Sequence, residues 1–152
     1  MNTNKRLLLV AGLVIGVTAL LAVWHLTTRV SVPEGSFLIQ YQGKDSYVQM
    51  EKLTMAEVSG SIVNGKGETV EISQPGILVS DVLAAAGVDS QAVQKVEAVG
   101  DDEYSAQLDG DEIREPAKVY LAKEEDGSMK LIVFGDSNMK RNVRNIVKLV
   151  VS

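Results

Sequence analysis

The chain carries two hydrophobic patterns, and they meet near residue 26. Residues 7–26 contain no Asp, Glu, Lys or Arg, and His25 is their only ionisable side chain. At about 1.5 Å of rise per residue, such a run makes a helix of about 30 Å, the thickness of a hydrocarbon core. Beyond it, apolar and polar residues alternate in short bursts, the period of two that marks strands. Phe37–Tyr41 and Tyr47–Met50 read as strands about a turn at Gln42–Asp45, and Glu51–Ala56 as one helical turn. Glu57–Val63 and Glu68–Ile72 alternate on either side of Asn64-Gly65-Lys66-Gly67, which predicts a hairpin. Ser80 is the expected N-cap of a helix through Ala86, with Val82, Leu83 and Ala86 on its apolar face and Gly87 as its stop. Val93–Val99, Tyr104–Leu108, Lys118–Lys123 and Lys130–Phe134 have strand character, with a turn at Glu124–Gly127. In the closing segment Asn142–Val151, Val143, Val147, Leu149 and Val151 share one face, interrupted at Asn145. The predicted fold class is α+β: a single N-terminal transmembrane helix, then one β-rich mixed domain with one or two short helices.

The flanks of the apolar run set an expected orientation. Lys5 and Arg6 precede it with the amino terminus, whereas only Arg29 follows closely. The positive-inside bias then puts the N-terminus in the cytoplasm. A cleaved signal peptide fits less well: the run exceeds the usual ~7–15 residue core, and no small-x-small site follows it. The sequence thus divides into a cytoplasmic tail (1–6), a transmembrane signal anchor (7–26), a linker (27–36) and an extracytoplasmic domain (37–152), a single-pass protein of the cell membrane. Gly12 and Gly16 form a small-xxx-small pair through which two such helices would approach as a weak homodimer. Trp24 falls where an interfacial belt residue belongs, and His25 at the wetted boundary.

Composition removes whole classes of chemistry. Cysteine is absent. That excludes a disulfide framework, a thiolate metal site, a thiol nucleophile and a redox CxxC. With His25 the sole histidine, a Ser-His-Asp triad or a histidine metal site is excluded from the domain as well. From Ser31 onward 12 Lys and Arg face 20 Asp and Glu, about −8, which disfavours nucleic acid as a partner. Asp101-Asp102-Glu103 and Asp109-Gly110-Asp111-Glu112 are acidic enough to suggest calcium, but neither has the D-x-[DN]-x-[DN]-G spacing, and both read as solvated turns. No catalytic and no metal residues are assigned.

The order of the pieces carries a resemblance. Phe37–Tyr41 is followed by Lys52-Leu53-Thr54-Met55, the hairpin, Pro75-Gly76-Ile77-Leu78-Val79-Ser80-Asp81-Val82-Leu83 and Ala86-Gly87-Val88. Then come Val96–Tyr104, Val119-Tyr120-Leu121-Ala122, Asp126-Gly127, Leu131–Gly135 and Arg141-Asn142-Val143-Arg144-Asn145-Ile146. Over residues 37–152 this resembles the molybdopterin-binding domain of sulfite-oxidase-type oxidoreductases, in a short, membrane-anchored form. In that family a cysteine between the second strand and the Gly76–Leu78 region ligates molybdenum; here the intervening loop is reduced to Asn64–Gly67 and holds none. The resemblance therefore implies a degenerate fold without its metal chemistry, and no cofactor, with molybdopterin as the alternative.

Lys140, Arg141, Arg144 and Lys148 lie close together with no acid among them, in an otherwise acidic domain. Lys140, Arg141 and Arg144 are the candidate site for an anion or partner: a pterin phosphate, a lipid headgroup or an acidic protein. The competing reading is a solvated strand edge whose charges discourage pairing. The expected function is a membrane-anchored extracytoplasmic binding or interaction domain, bound to the lipid bilayer and to another membrane or extracytoplasmic protein. The alternative is a cofactor-holding subunit of a membrane redox complex.

Overall fold

The computed structural model describes residues 3–28, 32–137 and 141–152, with side chains of the first stretch described at 10–23. It divides into two compact units, Met1–Ser31 and Val32–Ser152.

The first unit is helix α1 (Thr3–Thr28). Its apolar side chains are open, with Leu13 69% and Leu20 72% exposed. Among the described residues, no helix is long and apolar enough to cross a membrane. This corrects the expected transmembrane signal anchor. It also removes the premise for a single-pass topology, an extracytoplasmic domain and the lipid bilayer as partner. The side chains of Lys5, Arg6, Trp24 and His25 lie outside the described residues.

The second unit is the predicted α+β domain. One sheet has the order β2-β1-β9-β5-β6, from β1 (Ser36–Tyr41), β2 (Lys44–Gln49), β5 (Lys95–Gly100), β6 (Ser105–Asp109) and β9 (Ile146–Val151). The other has the order β3-β4-β7-β8, from β3 (Ala56–Val63), β4 (Thr69–Leu78), β7 (Val119–Lys123) and β8 (Met129–Val133). β1 and β9 run parallel; every other pairing is antiparallel. The tight β1–β2 turn is built on Gln42 and Gly43, both at positive φ, the conformation a two-residue hairpin requires.

One buried cluster joins the two sheets. Phe37, Ile39, Val96, Leu108 and Leu149 come from the first, and Ile77, Leu121, Met129, Leu131 and Val133 from the second. Helix α2 (Val79–Ala85) adds Val82 and Leu83. Its N-cap is Leu78 rather than Ser80, and no side chain caps it. Strand β4 runs on to Leu78, so the helix begins within one residue of the sheet and leaves Ser80 inside its first turn. Gly87 ends the helix region at φ +76°, as expected of a C-terminal glycine.

A second, smaller apolar layer occupies the opposite face of the β3-β4-β7-β8 sheet. Val58, Ala122 and Ile132 are buried there, yet lie outside the main cluster. The β3–β4 hairpin curls toward β8, so that Ile62 and Val63 line a small cavity with Leu131–Val133. Gly60 makes the curl feasible. A Cβ there would sit 2.7 Å from the Phe134 ring, which stacks edge-on against Tyr120 at 5.7 Å between centroids.

Candidate functional site

The segment after β8 and the lead-in to β9 carry the basic residues singled out from the sequence. Lys140 lies outside the described residues. Arg141 and Arg144 are described, and their surroundings differ sharply.

Arg141 is held by two carboxylates. Its two terminal nitrogens donate to Glu112 at 2.7 and 2.9 Å, and its Nε donates to Asp136 at 2.6 Å. All three side chains are largely buried, at 19% exposure for Arg141 and Glu112 and 13% for Asp136. The bidentate fork matches guanidinium to carboxylate, and the third bond leaves little donor capacity for an outside anion. The hydrogen bond from Arg141 holds the Glu112 carboxyl below the usual carboxylate range against the opposing effect of burial. The same partners raise the Arg141 guanidinium further still.

Glu112 reaches Arg141 from α3 (Gly110–Arg114), an element absent from the sequence reading, which took Asp109–Glu112 for a solvated turn. The signal was present: Asp109 and Glu112 have capping-box spacing, and the Asp109 amide donates to Glu112 Oε2 at 3.1 Å. Gly110 seats the helix, because a Cβ there would lie 2.1 Å from the Val93 carbonyl oxygen. Arg114 tethers the other end through the Ser90 and Val93 carbonyls at 3.1 and 2.9 Å.

Arg144 is exposed, and no side-chain hydrogen bond or ion pair holds it. Its position is nevertheless fixed. The Leu131 amide donates to the Val143 carbonyl at 2.8 Å, and the Asp101 amide to the Asn145 carbonyl at 3.0 Å. Asn145 sits at φ +48°, so the chain kinks immediately before β9. Gly100 admits that kink, since a Cβ there would lie 2.7 Å from the Arg144 carbonyl. The kink also explains why the alternation expected from Val143 begins only at β9, after a register shift at Val99/Gly100.

Next to Arg144 is a residue the sequence reading did not single out. Lys130, on β8, is 9% exposed, its stem buried and its ammonium reaching solvent, and among the described residues no hydrogen bond or ion pair holds it. Burial first, and repulsion from Arg144 second, push its pKa down; Glu124 offsets this weakly. A lysine heading the otherwise apolar Lys130–Phe134 was the available signal. Two cations thus stand together, with Asp126 and Glu124 acting on them at a distance and no bonded counter-ion among the described residues.

A cavity of about 30 Å³ lies against Asp136, Arg141 and Asn142, where Asn142 Oδ1 is buried without a partner. That is room for one water, the donor the amide oxygen lacks. Among the described residues no cluster of three or more His, Cys, Asp or Glu is placed to hold a metal ion. Asp102 accepts instead from the Tyr104 amide within its own turn at 3.0 Å, and Asp101 from Asn145 Nδ2, in the lead-in to β9, at 3.3 Å. Gly12 and Gly16 lie on α1, with nothing within 4 Å of either Cβ position. The homodimer expected through them was argued from pairing in lipid, and it falls with the span.

No protein-family model matches the chain, and no curated protein matches it.

Proposed function

We propose that residues 37–152 form a non-catalytic binding domain, a degenerate relative of the molybdopterin-binding domains it resembles, and that it binds a small phosphate-like anion between Lys130 and Arg144. The observation that carries this reading is Lys130, its stem buried and its ammonium open to solvent, beside the exposed Arg144, neither of them hydrogen-bonded to a carboxylate among the described residues. Partial desolvation and the neighbouring Arg144 both disfavour the Lys130 ammonium. A bound dianion would relieve that cost, and two cations a short distance apart suit phosphate oxygens.

The residues do not fit the metal-bearing cofactor of the resembled family. The chain has no thiolate. The turn that would carry one is closed on itself: Asn64 Oδ1 accepts from the Lys66 and Glu68 amides at 2.9 and 3.0 Å, and the Asn64 amide donates to the Glu68 carbonyl at 2.9 Å. No redox step is therefore derived for this domain.

Calorimetric titration of the full-length protein with pyrophosphate at low salt tests the reading. Binding is expected, weakened at least fivefold by either Lys130→Met or Arg144→Ala. Equal binding by both variants, or none by the wild type, would refute it. Molybdenum or an acid-released fluorescent pterin in the purified protein would refute the non-catalytic assignment.

A further inference from the structure

We infer that the free edge of β3 is a docking site for an extended, basic segment of a partner protein, which adds there as a further strand. β3 ends its sheet, and over Ala56–Val63 every backbone partner it has among the described residues is in β4. Its other edge is therefore open. Proteins blunt long open edges with Lys, Pro, bulges or a covering loop. β3 has none of the first two in Ala-Glu-Val-Ser-Gly-Ser-Ile-Val, and its register with β4 is unbroken over all eight positions.

What lies beside that edge is a groove rather than open solvent. Glu57 to Ser61 form one wall of a cleft of about 550 Å³, and Ala117, Tyr120, Phe134 and Gly135 form the rest. A strand laid along the wall would alternate its side chains. One set would meet the Tyr120–Phe134 pair, and the other would lie beside Glu57, Ser59 and Ser61. Main-chain bonds supply affinity in this mode and alternate side chains supply selectivity.

Charge selects the occupant. Glu57 and Glu71 project from the same polar face of the hairpin, and neither β3 nor β4 contains Lys or Arg. Among the described residues each carboxylate accepts only from a serine hydroxyl, Glu57 from Ser73 and Glu71 from Ser61, and neither is paired with a basic side chain. Set in a domain of about −8, this edge repels a second copy of itself and attracts lysine or arginine at alternate positions.

The probe is a heptapeptide alternating Lys and Val, added to the full-length protein while amide hydrogen exchange is followed. Exchange at alternate β3 amides is expected to slow about tenfold. A peptide with Glu in place of Lys, or with a central Pro, is expected to give no protection. The exposed double variant Glu57→Lys/Glu71→Lys should keep its melting temperature and lose at least tenfold in peptide affinity. Absence of β3 protection overturns the proposal. So does equal protection by the Pro peptide, which would mean charge attraction without strand pairing. Protection that rises with protein concentration in the absence of peptide would also overturn it, by making a second copy the occupant.

Discussion

Arg141 and Arg144 are three residues apart, and in the sequence they belong to one basic cluster. In the fold they do opposite things. Arg141 turns inward and is neutralised by Glu112, from 29 positions earlier, and by Asp136. Arg144 faces out beside Lys130, and the two repel each other. The first region is a structural clasp joining the β8–β9 connection to α3; the second is a pair of cations that Glu124 and Asp126 reach only at a distance. A run of like charges therefore says little about function until its distant partners are known.

The largest expected effect comes from breaking the clasp at its base. In Gly110→Ala the new methyl would press on the Val93 carbonyl, which is backbone and cannot swing aside. Helix α3 must shift, carrying Glu112 away from Arg141. A loss of about 3 kcal/mol is expected in urea unfolding, within the range for overpacking combined with a broken buried pair. A loss below about 1 kcal/mol would mean that α3 is loosely held.

Removing only the charge should cost less. Glu112→Gln leaves Arg141 with Asp136 alone, and the half-buried setting puts the loss near 2 kcal/mol, between exposed and fully buried pairs. For a domain of this size that is about 8 °C in melting temperature. The pH dependence follows from the direction of the shift. Because folding lowers the Glu112 pKa from its ordinary 4.5, its contribution is complete above that value and is lost as pH falls through the folded value. The gap between wild type and variant should stay constant from about pH 7 to 5 and close below about 4. A gap that persists into strong acid would assign the stabilisation to packing.

How much of this contrast could be read from the sequence depends on the range of the interaction. Hairpin β3–β4, the turn between β7 and β8 and the stop at Gly87 are local, and their residues announced them. Helix α3 was missed because its five residues are too few to show a helical period; only the Asp109–Glu112 spacing marked it. The clasp was illegible because it depends on residues 29 apart being brought together by two sheets. Lys130 was passed over for a related reason. In an alternating strand a polar residue is assigned to solvent, yet β8 is buried on both faces, because the curled hairpin covers its second face. The apolar run at 7–26 was the loudest local signal, and the span inferred from it did not survive.

At the second region, substitution should stabilise rather than weaken. Lys130→Met removes a partly desolvated ammonium that no carboxylate bonds and keeps the volume of the strand. A gain of about 1 kcal/mol is expected at pH 7. Since folding lowers the Lys130 pKa, the unfolded chain holds the proton more tightly, and wild-type stability should rise toward the ordinary value of 10.5. The advantage of the variant should shrink over the same interval. A destabilised variant with full pyrophosphate binding would make Lys130 a packing residue with no ligand.

The smallest effect on stability is expected at Arg144, and it discriminates most finely. Exposed and without side-chain partners, Arg144 should be replaceable by Ala with a change within about 0.5 kcal/mol. What should change is its neighbour. Loss of the repelling charge lets the Lys130 pKa climb part of the way back, leaving burial as the remaining cause. The alkaline rise in stability should then begin at higher pH than in the wild type. Direct titration of the Lys130 side chain by NMR in both proteins would check this. An unmoved Lys130 would place the two cations too far apart to share one anion, and the contrast with the Arg141 clasp would reduce to one buried and one solvated arginine.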